Sequence, residues 1–285
     1  MSLSQFCSIF APNFMRASTH RHFLSVALMA LTMLFLPLMD SASARTPASG
    51  GKAAFTLVLD AGHGGRDPGA LGKGKSKARE KNINLAVTLA VGKLVEKNLK
   101  DVKVVYTRKT DVFVDLDERA NIANRAKADL FVSIHTNALP GKKQHAGSET
   151  YTLGMHRAAE NLDVAKRENS VISLEKDYEN RYEGFDPQSA ESYIIFEFMQ
   201  DQNMEKSVRL ATLVQKQFRS AGRPDKGVHQ AGFLVLRATS MPSCLIELGY
   251  ITTASEEAYL TSERGVNALA QSIYQAIKKY KETQK

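Results

Sequence analysis

From Phe55 onward the apolar positions of this chain follow two alternating rhythms. Short apolar runs over 55–60, 102–107, 130–135, 148–153 and 243–248 read as buried strands, and 232–236 reads as another. Between them, apolar residues recur at helical spacing. Ile83, Val87, Leu89, Val91, Leu94 and Val95 predict a helix over about 80–97. Leu116, Ala120, Ile122, Ala123 and Ala126 predict one over about 115–127, and Val266, Leu269, Ile273, Ala276 and Ile277 a last one over 263–280. Strand, helix, strand, helix, strand in that order predicts an α/β fold. Its core is a mainly parallel twisted sheet with helices on both faces and right-handed crossovers.

Residues 154–206 break this rhythm. The stretch is polar, and its apolar content stays thin until Tyr193-Ile194-Ile195-Phe196. From there a long helix is expected to run to about Ser220. A mobile, polar insertion over about 154–190, followed by a core helix, fits the pattern. The expected organisation is a leader over 1–44, a linker over 45–54 and one domain over 55–285 that carries the insertion. No appended module is expected beyond the last helix.

The leader reads as a secretory signal peptide. Arg16, Arg21 and the His20/His22 pair precede the apolar stretch Phe23–Met39, and Ala42-Ser43-Ala44 offers a cleavage site. An uncleaved anchor is the alternative, since the apolar run approaches the length that crosses a bilayer. The remaining ~240 residues suffice for one large domain.

Composition changes little. With 43% hydrophobic and 24% charged residues, the chain is ordinary globular protein, neither disordered nor fibrous. The net charge of +8 would suit an anionic wall polymer or lipid headgroups, or serve solubility alone. No nucleic-acid motif is present, and nucleic acid is not an expected partner. Of the two cysteines, Cys7 lies in the leader and Cys244 in an apolar run. No disulfide is expected within the exported part, and Cys244 is read as a small hydrophobe.

Four residues carry the chemistry. His63 follows Leu57-Val58-Leu59-Asp60-Ala61-Gly62, His135 ends Leu130–Ile134, Glu247 ends Cys244-Leu245-Ile246, and Glu80 opens the first helix. Strand ends in an open α/β sheet converge on one edge, where ligands bind. Two histidines and one glutamate form the ligand set of a catalytic zinc site with a position open to water. A second glutamate beside that water can act as its base. A carboxylate in a run as apolar as that around Glu247 is expensive to bury unless a metal or a proton compensates it.

The segments Leu57–Ala70, Glu80–Leu89, Tyr106–Arg119, Asp129–Ala138 and Pro242–Ile251 resemble the zinc-dependent N-acetylmuramoyl-L-alanine amidases of bacterial cell separation. The likeness covers about residues 54–280, with the motifs in the family's order. It implies that His63, Glu80 and His135 hold Zn²⁺ and that Glu247 is the catalytic carboxylate. The implied reaction cleaves the amide between N-acetylmuramic acid and the L-alanine of the stem peptide of peptidoglycan, in the periplasm. Arg66 and Asn137 become candidate substrate contacts. Members acting at division often carry a helix that covers the zinc and blocks it with an acidic ligand, and 155–169 resembles that helix. Glu168 is the first candidate for the blocking ligand and Glu160 the second. Such a lid implies an activator, in this family a degenerate zinc-peptidase-like (LytM-type) envelope protein, and a monomeric enzyme is expected. The chain departs from the family where Phe and then Asn often follow the last motif; Tyr250 and Thr252-Thr253 stand there.

Two other readings compete. A non-catalytic peptidoglycan-binding module would need no open metal position, and Glu247 argues against it. A glycoside hydrolase using Glu247 and Glu80 would leave both histidines without a task.

Overall fold

The computed structural model describes residues 55–139, 144–198 and 202–284. The leader and linker expectations, over 1–54, lie outside the described residues. Among the described residues there are six strands: β1 (Phe55–Ala61), β2 (Val102–Tyr106), β3 (Leu130–Asn137), β4 (Ser148–Leu153), β5 (Asp225–Ala231) and β6 (Ser243–Tyr250). The helices are α1 (Glu80–Asn98), α2 (Leu116–Arg125), α3 (Ala159–Asn169), α4 (Tyr178–Arg181), α5 (Ile195–Phe198), α6 (Met204–Ser220), α7 (Leu234–Arg237), α8 (Ala254–Leu260) and α9 (Glu263–Glu282).

The strands form one sheet in the order β2-β1-β3-β6-β4-β5. Every pairing is parallel except that of β4 with β6. The mainly parallel α/β expectation therefore holds. From β1 the chain first steps outward to β2 and then back to β3 on the other side of β1. That reversal opens a crevice at the carboxyl ends of β1 and β3, where α/β sheets bind ligands.

The two-residue period of the strands sorts their side chains between two cores. Leu57, Leu59, Leu130, Val132, Ile134, Cys244, Ile246 and Leu248 face α1, α6 and α9. Val58, Phe131, Tyr151, Leu153 and Leu245 face the other way, among residues of α2, α3 and α7. Most of these strand side chains are fully buried, and a buried Leu, Ile or Phe contributes about 1.5–3 kcal/mol each. Asp60, Ser133, His135, Glu149 and Glu247 continue the second set in register, so the polar row lies on the α3 face. Burial pushes the Cys244 thiol up, as befits an inert core residue.

Three expectations need correction. The run 232–236 is no strand: its buried Leu234, Val235 and Leu236 form the single turn α7, and the strand is the polar β5 before it. The helix expected from Tyr193 to Ser220 is broken, with 3₁₀ geometry at Glu191–Ile194, then α5, then a separate α6. The insertion is not merely polar. It buries Val164, Ala165, Val171, Ile172, Tyr182 and Phe185 in the second core. No helix among the described residues is long and apolar enough to cross a membrane.

Candidate active site

β1 runs straight into a glycine-rich turn. His63 takes a left-handed conformation there, φ 62°, which a residue with a Cβ adopts only when its surroundings hold it. Two buried arginines supply that hold. Arg108 donates to the carbonyls of Ala61 and Gly62, each at 2.8 Å, and Arg119 to those of Ala61 (2.7 Å) and His63 (2.9 Å). Arg119 also pairs with the fully buried Asp60 at 2.8 Å. Burial pushes the Asp60 carboxyl up, but Arg119, Ser133 and Thr107 more than offset this and hold it below its ordinary value.

The turn brings His63 and His135 ring to ring, 4.9 Å between centroids. Two glycines make the approach feasible. A Cβ on Gly62 would stand 2.3 Å from the His135 ring, and one on Gly69 2.7 Å from both His63 and Glu80. Glu80 enters from the first turn of α1. Its Oε1 lies 3.1 Å from His63 Nε2 and 3.3 Å from His135 Nδ1. Its orientation is fixed by the Ala70 N–H (2.8 Å), the Thr136 N–H (2.9 Å) and Asn84 Nδ2 (3.2 Å). Asp67 accepts from His63 Nδ1 at 2.6 Å, which leaves the Nε2 lone pair pointing at the cluster.

Glu168, from the last turn of α3, completes the group. Its Oε2 stands 3.0 Å from His63 Nε2 and 2.9 Å from His135 Nδ1. One ligand atom from each of His63, Glu80, His135 and Glu168 can be chosen so that all four lie within 4.8 Å of one another. The four residues are buried, yet His63 Nε2, His135 Nδ1 and Glu168 Oε2 make no hydrogen bond. Atoms this close, buried and without a hydrogen bond could serve as donors around a cation. Two imidazoles and two carboxylates suit Zn²⁺ by type and number. Without a cation, the carboxylates act on the imidazoles instead. Burial lowers the proton affinity of both histidines. For His63 this is outweighed by Glu80, Asp67 and Glu168, which hold it well above the usual range, and for His135 mainly by Glu168, which pushes it up to about 9.

Glu247 is the strand neighbour of His135, paired with it in register across β3 and β6. It is fully buried, and its Oε2 has no partner. Burial first and the Glu168 charge second push its carboxyl well above the carboxylate range. Arg167 Nη2 approaches its Oε1 at 3.4 Å.

The remaining candidates divide. Glu160 sits exposed in the first turn of α3 and is not brought to the cluster. Arg66 is exposed, stacks over Phe113 at 4.0 Å and donates to the Leu174 carbonyl at 2.6 Å, a contact with the insertion. Asn137 is buried and donates from Nδ2 to Glu149 on β4. Beside the cluster lies a cavity of about 290 Å³ whose lining includes His63, Glu80, Arg167, Glu168 and Leu174. The sequence alone does not mark Asp60, Asp67, Asn84, Arg108 or Arg119 as site residues. Arg108 and Arg119 lie within the matching segment Tyr106–Arg119, and family likeness is the signal that points to them.

Comparison with known proteins agrees with this geometry. The family model N-acetylmuramoyl-L-alanine amidase (Amidase_3) matches residues 57–279. The amidase AmiC of Escherichia coli O6:H1 is 32% identical over 231 residues, 79% of this chain and 52% of AmiC. The chain thus spans about half the length of that relative. AmiA of Escherichia coli K12 is 32% identical over 232 residues, 80% of this chain and 75% of AmiA. The crystal structure of the N-acetylmuramoyl-L-alanine amidase from Clostridium difficile 630 superposes with a TM-score of 0.61 at 29% identity, covering 82% of this chain and all of that one. AmiC2 of Nostoc punctiforme gives 0.60 at 27% identity, covering 81% of this chain and 99% of that one. A match across nearly the whole described chain, with the buried histidine–glutamate cluster inside it, decides the matter: this chain belongs to the N-acetylmuramoyl-L-alanine amidase family.

Proposed function

We propose that the chain is a zinc-dependent peptidoglycan amidase, exported to the periplasm, that acts in wall remodelling and daughter-cell separation and is held inactive by its own insertion. The observation that supports the catalytic reading is the set of converging, unpartnered donor atoms beside a buried glutamate whose Oε2 also lacks a partner. His63, Glu80 and His135 would hold the ion. A bound zinc supplies polarisation of the scissile carbonyl and lowers the proton affinity of water.

The chain's own groups do the rest. Glu247 Oε2, buried and with a raised proton affinity, suits a base that takes a proton from the attacking water and returns it to the leaving nitrogen. Water's oxygen bonds to the lactyl carbonyl carbon, the C–N bond breaks, and the amine of L-alanine leaves. Asp67 keeps the His63 lone pair directed at the ion, and Arg119 fixes the His63 backbone.

The autoinhibitory reading rests on the last turn of α3. Glu168 occupies the position a fourth ligand would take, and Arg167 spans Glu168 (2.9 Å), Glu247 (3.4 Å) and the Ala138 carbonyl (2.6 Å). Asn169 secures the turn by donating to the Gly232 carbonyl at 2.7 Å and accepting from the Leu234 N–H at 2.9 Å. An activator that displaces this turn would free the metal and the base together, and a LytM-type envelope protein is the partner we propose. Zinc analysis of the purified chain, paired with release of stem peptides from sacculi, tests the reading. About one zinc per chain is expected, with peptide release once the α3 turn is displaced, as in Glu168→Ala, and a metal-free Glu168→Ala chain that cleaves sacculi equally well would refute it.

A further inference from the structure

Glu149 has no part in the mechanism above, yet it continues its row. His135, Glu247 and Glu149 are Cα partners on three adjacent strands. Directly opposed residues share a sheet face, with Cβ atoms about 4.5–5.5 Å apart. Glu149 is therefore the third polar side chain in a line that starts at the metal centre. It is only 7% exposed, and among the described residues no lysine or arginine pairs with it. Its nearest basic neighbour is His229, Nε2 3.6 Å away.

Glu149 Oε1 accepts from Asn137 Nδ2 and from the Tyr250 hydroxyl, the latter at 3.0 Å. The first bond settles the amide of Asn137: its nitrogen is committed to Glu149, so its oxygen is presented elsewhere. That oxygen is buried in a residue 1% exposed and has no donor. An unpaired buried acceptor costs about 1–3 kcal/mol, a penalty that a ligand N–H would relieve. Asn137 lies two residues beyond His135 on the same face of β3, at the register position of Tyr250. A buried carboxylate beside the base Glu247 in one row, with the fixed acceptor of Asn137 held against it, favours a nitrogen that carries hydrogens and gains positive charge.

We propose that Asn137 and Glu149 form the subsite for the leaving amine of the stem peptide, an assignment that rests on the amidase reading. Asn137 Oδ1 accepts a hydrogen of the amine released when the C–N bond breaks. Glu149 is a positioning residue: it fixes the Asn137 amide and places negative charge near the ammonium that forms on protonation. The subsite accommodates the amide nitrogen of the substrate and favours the free amine released from it.

The test uses the full chain with zinc and Glu168→Ala to uncover the site, titrated calorimetrically with L-alanyl-D-isoglutamine and with its N-acetyl form. The free amine is expected to bind about ten-fold tighter, as a charge-assisted hydrogen bond implies. Glu149→Gln and Asn137→Ala should each abolish that preference while binding of the N-acetyl peptide persists; should one variant fail to fold, the other decides. Equal binding of both peptides, or a preference that survives the substitutions because the amine sits on the metal instead, overturns the proposal. Peptide release from sacculi by the same Glu168→Ala parent separates the two readings: no release refutes the amidase, while the binding comparison still decides the subsite.

Discussion

Arg167 and Glu247 lie 80 positions apart in sequence, yet one guanidinium nitrogen of Arg167 stands 3.4 Å from the Glu247 carboxylate. The next residue, Glu168, reaches both His63 and His135. One helical turn thus engages the proposed base and the proposed ligand set at once. A partner that shifts this turn acts on both by a single displacement.

Glu168→Ala is therefore expected to raise peptide release from sacculi in the absence of any activator. Removing one such contact changes a closed–open equilibrium by about ten-fold, ~1.4 kcal/mol. Soluble product from purified sacculi measures this. Unchanged or lower release, with zinc content preserved, would count against the lid.

Glu247→Gln should reduce turnover by about 10²–10⁴-fold while zinc content stays the same. It also has a stability signature in the metal-free protein. The folded state raises the proton affinity of this carboxyl, by burial and then by Glu168, so the native form binds its proton more tightly than the unfolded chain. Stability from this source is complete below the unfolded glutamate value near 4.3 and is lost as pH rises through the folded value. Gln cannot suffer that loss. Thermal melting should show the variant gaining on the parent as pH rises above about 4.3, and a constant difference would contradict the assignment.

Zinc uptake should release protons. His135 is pushed up to about 9, against the lowering effect of burial, chiefly by Glu168, and His63 stands well above the imidazole range. Both must deprotonate to ligate, so about two protons per zinc should appear at pH 7. Calorimetry in buffers of different ionisation enthalpy counts them. The same shifts mean that the metal-free protein is stabilised by its imidazolium–carboxylate contacts below about 6.5, the unfolded histidine value, and loses that stabilisation as pH climbs towards about 9.

Gly62→Ala should weaken zinc binding by about 10–100-fold, because the new methyl stands 2.3 Å from the His135 ring and displaces a ligand. Competition with a chelating dye reads the affinity, and circular dichroism checks the sheet. Undiminished affinity would show that the ring has room to move.

The sequence makes the candidate site readable because His63, His135 and Glu247 each close an apolar run, where a polar side chain needs a reason. Glu168 is readable only through family likeness, since nothing in a polar helix distinguishes it from the exposed Glu160. The groups behind the ligands are hidden for a different reason. Arg119 serves His63 across 56 positions and Arg108 serves Gly62 across 46, and pairings at that range leave no local pattern. β5 is missed because an edge strand can stay half-exposed; Asp225–Ala231 has no apolar run to show. The apolar run after it is short enough to suit either a strand or a buried helical turn, and periodicity cannot choose between them. Tyr250, where the family often has Phe, gains an account only in three dimensions, through its hydroxyl on Glu149.

Glu175, in the insertion, accepts from the Leu116 N–H at 2.8 Å and so caps the first turn of α2. That helix carries Arg119, whose guanidinium holds the carbonyl of His63. Withdrawal of the 170–175 segment leaves an amide at the start of α2 to be taken up by solvent. Because one helix links that amide to the backbone of His63, opening of the proposed lid would also loosen the start of α2, and deuterium uptake at Leu116 would gauge how often the cover lifts.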